Sequence, residues 1–265
     1  MMNTLTLQLD HSELIYLLWL MKTLSIPGIE SKSLQDGSSD QVIADLSNAR
    51  QSLQARHLIA VEEKEIQIDQ HAMNLVGTCA LAKASLMLEC QSRESTAQFL
   101  SFYFRPEAWV RHTILITGRH NFSLVESPLR DFSRLVGESL PQPTRCTPAE
   151  FVLPKAVVDL VLAFFSSERL LEVNHVFQDP DLPIDLARGL IDTLNNLQQK
   201  ISIDVIFHHR PEHQPVDHSI LLIRNPQGYW HVDRLTGNGS VKLTSVSQQE
   251  AINLFNQLVE QAQVH

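Results

Sequence analysis

A chain of 265 residues with 43% hydrophobic and 19% charged residues is long and apolar enough to bury a core, which excludes a disordered chain and a small fold held by disulfides. The formal net charge of -9 disfavours broad contact with a phosphate backbone. Three cysteines, Cys79, Cys90 and Cys146, make neither a complete disulfide framework nor a paired Cys-x-x-Cys metal spacing, and a reducing, cytoplasmic compartment is expected.

The N-terminus carries no basic segment and the apolar stretch 14–21 runs directly into Lys22, so neither a signal peptide nor a membrane anchor is expected. Asp10 and Glu13 have the spacing of a capping box, and Leu14, Leu17, Leu18 and Met21 follow at helical intervals. After the polar stretch 36–40, Val42, Leu46, Ala49 and Leu53 mark the apolar face of a second helix that ends around Arg56 and His57. Ile66 and Ile68 alternate in a short strand, and residues 73–84 return to helical character. Helix, helix, strand is also the order of a winged-helix module.

From residue 86 the pattern changes to strands at 86–88, 99–104, 109–116 and 122–125, an antiparallel meander. A helix closes it: Ser127 caps, Pro128 opens, and Leu129, Phe132, Leu135 and Val136 form the stripe. Pro141 and Pro143 mark a linker, which sets the expected halves at 1–143 and 144–265. The first divides into a winged-helix-like part, 1–84, and a meander with closing helix, 85–140. The second divides into a helical part, 147–199, and a meander with closing helix, 201–263. In the second half Thr147 and Glu150 have capping-box spacing, helices are expected over 157–165, 169–177 and onward from Pro183, and strands at 201–207, 219–223, 229–234 and 241–244.

The meanders match in order. Phe99 and Phe102 align with Ile220 and Ile223, and Trp109 with Trp230, at an offset of 121 (230 minus 109). The closing helices match at 123, since Leu129, Phe132, Leu135 and Val136 share the spacing of Ile252, Phe255, Leu258 and Val259 (252 minus 129). The expected fold is therefore α+β, with two pseudo-symmetric halves, each an antiparallel meander with flanking helices. Trp109 and Trp230 are expected as core anchors in equivalent places, a paired aromatic binding surface being the alternative.

Chemistry is sparse. Nine glycines form no G-x-G-x-x-G, P-loop or G-x-S-x-G motif, and no catalytic or cofactor-binding residue is assigned. The densest stretch holds His208, His209, His213 and His218 with Glu212 and Asp217. Pro211 and Pro215 prevent the helical H-x-x-x-H geometry of zincins, so a solvated hairpin loop is expected and no metal ligand is assigned. His112, His120 and His231 are expected as ordinary surface or core histidines. Around the second helix, Arg50, Arg56 and His57 supply few cations, while Glu62, Glu63 and Glu65 make the hairpin that would serve as a wing acidic and repellent to phosphate.

The layout as a whole resembles the EspG family of type VII (ESX) secretion-associated proteins. The residues carrying the resemblance are Leu53-Gln54-Ala55-Arg56-His57-Leu58-Ile59 before an acidic strand, the proline-containing midpoint, Leu186-Ala187-Arg188-Gly189-Leu190, and Gly228-Tyr229-Trp230-His231-Val232 leading to Val241-Lys242-Leu243 and the last helix. The resemblance implies a central antiparallel sheet with helical subdomains and a cytosolic chaperone role, in which family members bind the apolar tip of PE and PPE pairs before export. It implies no catalysis, cofactor, membrane or small-molecule substrate, and it identifies no individual partner-binding residue here. The expected function is a non-enzymatic adaptor or secretion chaperone for a PE/PPE-like or other type VII client. A winged-helix DNA-binding regulator, and a metal-dependent enzyme using the 208–218 loop, are the alternatives.

Overall fold

The computed structural model describes residues 5–23, 25–29, 39–62, 65–92, 98–105, 108–138, 150–154, 198–208, 218–225, 228–234 and 240–264. Ten strands among them form one wholly antiparallel sheet. Its first-half strands are β1 (Thr6–Leu9), β4 (Ala84–Ser92), β5 (Gln98–Arg105), β6 (Ala108–Ile114) and β7 (His120–Val125). Its second-half strands are β8 (Glu150–Pro154), β9 (Gln199–Phe207), β10 (His218–Asn225), β11 (Gly228–Arg234) and β12 (Ser240–Val246). They lie in the order β1-β7-β6-β5-β4-β9-β10-β11-β12-β8. Read outward from β4 and β9 the order is the same in both directions, which is the expected α+β fold with two pseudo-symmetric halves.

Five helices are described: α1 (His11–Leu20), α2 (Ser39–Ala55), α3 (Gln70–Ala80), α4 (Pro128–Glu138) and α5 (Gln248–Val264). Between α2 and α3 a small hairpin pairs β2 (Ile59–Glu62) with β3 (Glu65–Ile68), and its closing pair is Glu62 with Glu65. No helix among the described residues is long and apolar enough to cross a membrane. The expected helix start at Thr147 lies outside the described residues. Glu150–Pro154 is an edge strand against β12, where the sequence suggests the first helical turn. The helices expected over 157–165, 169–177 and from Pro183 lie outside the described residues, as do residues 209–217 of the histidine-rich loop.

Strand pairing fixes how the halves correspond. Arg105 and Ala108 close the first hairpin, and Asn225 and Gly228 close the second at an offset of 120 (225 minus 105). The offset of 121 expected from the sequence is thus one residue out, and in a sheet one residue exchanges the two faces. The partner of Trp109 is Tyr229; both face the core beneath α4 and α5. Trp230 points to the opposite face, so the two tryptophans, each 6% exposed, form neither an equivalent pair nor a shared aromatic surface.

The same correspondence carries the paired Leu86 and Phe102 onto Ile201 and Leu222, which are also paired. It then makes Leu88 and Ile203 equivalent at an offset of 115 (203 minus 88), and these two residues face each other across β4 and β9. A local two-fold axis therefore passes through this pair. Above it, on the face we call the front, Phe132 of α4 stacks on Phe255 of α5 with ring centroids 4.1 Å apart and an interplanar angle of 13°. These are the residues expected to correspond in the closing helices. Ser247 caps α5, accepting the Glu250 N–H at 3.2 Å while its own N–H donates to the Glu250 carboxylate at 2.6 Å.

The back face of the first half is covered by α1, α2 and α3. Their buried residues, among them Leu14, Leu17, Leu53, Leu75 and Val76, pack on Leu7, Leu9, Tyr103, Val110 and Phe122. The carboxylate of Glu13, expected as part of a cap, also ties α1 to α2. It takes the Asp10 N–H at 2.9 Å, the Ser52 hydroxyl at 2.6 Å and the Arg56 guanidinium at 2.8 Å. At 1% exposure such a carboxylate needs this many donors, and the Arg56 guanidinium is engaged in supplying them.

Candidate functional site

Alternation along the central strands separates two surfaces. On the front, Leu86, Leu88 and Cys90 of β4 join Ile201, Ile203 and Val205 of β9 under α5, and all are buried. On the back, β4 presents Met87, Glu89 and Gln91, β9 presents Lys200, Ser202, Asp204 and Ile206, and β5 presents Phe99 and Ser101. These side chains are half-buried or exposed: Phe99 is 60% and Ile206 36% exposed. Lys200 and Glu89 approach to 3.9 Å within the strip.

Both flanks of this strip are closed. Toward the first half, the loop at residues 25–29 abuts Tyr103, whose hydroxyl donates to the Pro27 carbonyl at 2.6 Å. Gly28 has φ +78, a left-handed conformation that favours glycine, and a Cβ there would also press on the Met87 methyl. Toward the second half, Leu221, Ile223, Trp230, Val232 and Leu243 on the same face are buried. The centre of the back face is thus a mixed apolar and charged strip between two covered regions, on paired strands of the sheet. A half-open strip of this mixed character suits contact with another protein surface.

The described residues contain no group of three or more histidines, cysteines or carboxylates arranged to hold a metal. Of the histidine-rich stretch, His208 ends β9 with its Nε2 3.0 Å from the Ser85 hydroxyl, and His218 begins β10 edge-on to Phe207. Burial pushes the thiols of Cys79 and Cys90 up, for Cys90 against the lowering effect of Gln199, which donates to its sulfur at 2.8 Å, and a raised thiol pKa is opposite to that of a reactive thiolate. Cys146 lies outside the described residues. His231 is half-buried on β11, and burial lowers its pKa.

One cluster was not legible as a cluster. His112 and His120 lie on adjacent strands of one hairpin and meet His11 from the start of α1, their ring nitrogens 3.0 and 3.1 Å apart in series. The positive φ at Gly118 offers a local clue, because a tight turn there brings positions 112 and 120 onto one face. Nothing local points to His11.

No protein-family model matches the sequence, and no curated protein matches it. Among solved structures, the chain is similar to the Mycobacterium tuberculosis type VII secretion system chaperone EspG5, determined in complex with the PE25-PPE41 dimer. The identity is 7%, the likeness covers 96% of each chain, and the TM-score is 0.59. At this identity the likeness establishes a shared fold.

Proposed function

We propose that this chain is a divergent member of the EspG family and acts as a non-enzymatic, cytoplasmic adaptor or secretion chaperone. Its client would be a PE/PPE-like pair, or another type VII substrate, whose apolar helical tip it shields. The observation that carries the reading is the fold shared over 96% of both chains with a type VII secretion system chaperone in complex with the PE25-PPE41 dimer. The half-open strip on the back of the sheet supplies a place: Phe99 and Ile206 offer apolar area, while Glu89 and Lys200 set orientation.

The test is retention of clients from a lysate of the protein's own cells, with the wild type compared against Phe99→Glu. The wild type is expected to retain a secreted helical protein. Phe99 is 60% exposed, so the substitution leaves the fold intact, and burying half to all of a phenyl ring contributes about 1–3 kcal/mol, or roughly 5- to 150-fold in affinity. Absence of any secreted helical client would sink the reading. Equal retention by the variant would move the binding surface elsewhere.

A further inference from the structure

The histidine chain His11, His120 and His112 is used by nothing above. His11 is the first residue of α1 and follows Asp10, His120 opens β7 opposite Leu9 of β1, and His112 lies on β6. His11 Nδ1 is 3.1 Å from His120 Nε2, and His120 Nδ1 is 3.0 Å from His112 Nε2. The His112 and His120 rings stack with centroids 5.2 Å apart, and His112 also lies against Phe122. His112 is 3% and His120 4% exposed, whereas His11 reaches solvent, so the chain runs from the surface into the core where β1, α1, β6 and β7 meet.

The geometry limits what the chain can do. His120 uses a different nitrogen toward each neighbour, so the three rings do not converge on one point and cannot share a metal ion. A neutral imidazole has one donor and one acceptor, so the neutral chain is satisfied when every ring donates in the same direction. One added proton on His120 is tolerated, because both its N–H groups then donate outward. A second proton places N–H against N–H across a 3 Å gap, and that contact must open.

Among the described residues the surroundings offer no free counter-charge. Asp10, beside His11, is held by Arg119 at 2.6 and 3.2 Å, and Glu13 of α1 by Arg56 and Ser52 of α2. The residues of β1, β6 and β7 around the rings are Leu9, Val110 and Phe122. Helix α3, which packs against β6 and β7, carries no carboxylate, lysine or arginine; its titratable side chains are His71 and the buried Cys79. Burial lowers the pKa of all three rings, His112 to about 3 and His120 to about 4.

We propose that this three-histidine chain is an acid-released latch, which in mildly acidic solution frees β1 and the start of α1 from β7 while the central strands stay folded. Release is local because β1 is the outermost strand, four residues long and paired on one side with β7. Each ring that is neutral when held and titrates near 6.5 when freed raises the opening constant about 25-fold between pH 7 and pH 5. The two buried rings together raise it by roughly 600-fold.

Hydrogen exchange of the full chain at pH 7 and pH 5, corrected for intrinsic rates, tests the proposal. Protection over residues 6–13 is expected to fall by roughly 600-fold and to stay well below that of residues 84–92 and 199–207, which remain protected at pH 5. The His11→Gln variant, altered at the solvent end where folding is not at risk, removes one titrating ring and is expected to shift the release midpoint to lower pH. Unchanged protection over residues 6–13, loss simultaneous with the central strands, or an unchanged midpoint in the variant would each overturn the latch.

Discussion

Truncating Phe255 to alanine removes one of two rings that lie against each other on the local axis relating the halves. Phe255 is 0% and Phe132 1% exposed, and burial this complete puts a Phe→Ala substitution at about 3–5 kcal/mol, transfer and cavity terms together. Because the positions are equivalent, Phe132→Ala is expected to cost a similar amount. The stacked pair adds about 0.5–1.5 kcal/mol beyond buried area, so the double variant should fall short of the sum of the singles by that amount. Urea titration followed by far-ultraviolet circular dichroism reads these differences. In thermal melts each single variant should lose roughly 8–15 °C. A loss below about 1 kcal/mol for either ring, or singles that add to within 0.5 kcal/mol, would refute the shared axis. So would two separate transitions in the wild type, because halves joined through β4, β9 and this ring pair should unfold together.

Two further outcomes follow from local geometry. His57 ends α2 at φ 57, a left-handed conformation that costs a side-chain-bearing residue about 1 kcal/mol, so His57→Gly should raise stability by about 0.5–1 kcal/mol in urea titration. Acidification should lower global stability through His112. Its folded pKa of about 3 lies below the unfolded 6.5, so the unfolded chain binds the proton first, and stability is lost as pH falls through that window. The His112 share is about 2 kcal/mol between pH 7 and pH 5, measurable as a shift in urea midpoint, and a stability independent of pH over that range would contradict it.

The strands of both meanders and the two closing helices were legible because their apolar residues recur at periods of two and near four. Register was not. In β10, Ile220 and Leu222 are buried on the front while Leu221 and Ile223 are buried on the back, so the strand reads as an unbroken apolar run with no phase to align. The hairpin closures at Arg105 and Asn225 fix what the run cannot. Strand β1 escaped for another reason: four residues carry little pattern, and its partner β7 lies more than a hundred residues along the chain. The histidine chain has the same origin, since His11 meets His120 through that long-range pairing. The back strip was hidden because Met87, Glu89, Lys200 and Asp204 look like the exposed side of two ordinary strands until β4 and β9 are known to be neighbours.

That neighbourhood also sets a timetable for synthesis. The ladder between β4 and β9 runs from Ala84 with Phe207 to Ser92 with Gln199, and 107 positions separate its near ends (199 minus 92). A ribosome adding about 5–20 residues per second completes β9 roughly 5–20 s after β4. Once β7 has been made, and until β9 follows, the first meander stands complete except for one long strand edge, with Leu86, Leu88 and Cys90 awaiting their partners. A nascent chain is therefore most open to pairing with another copy before it is finished, and a chain terminated ahead of residue 199 is expected to keep that edge and self-associate through it.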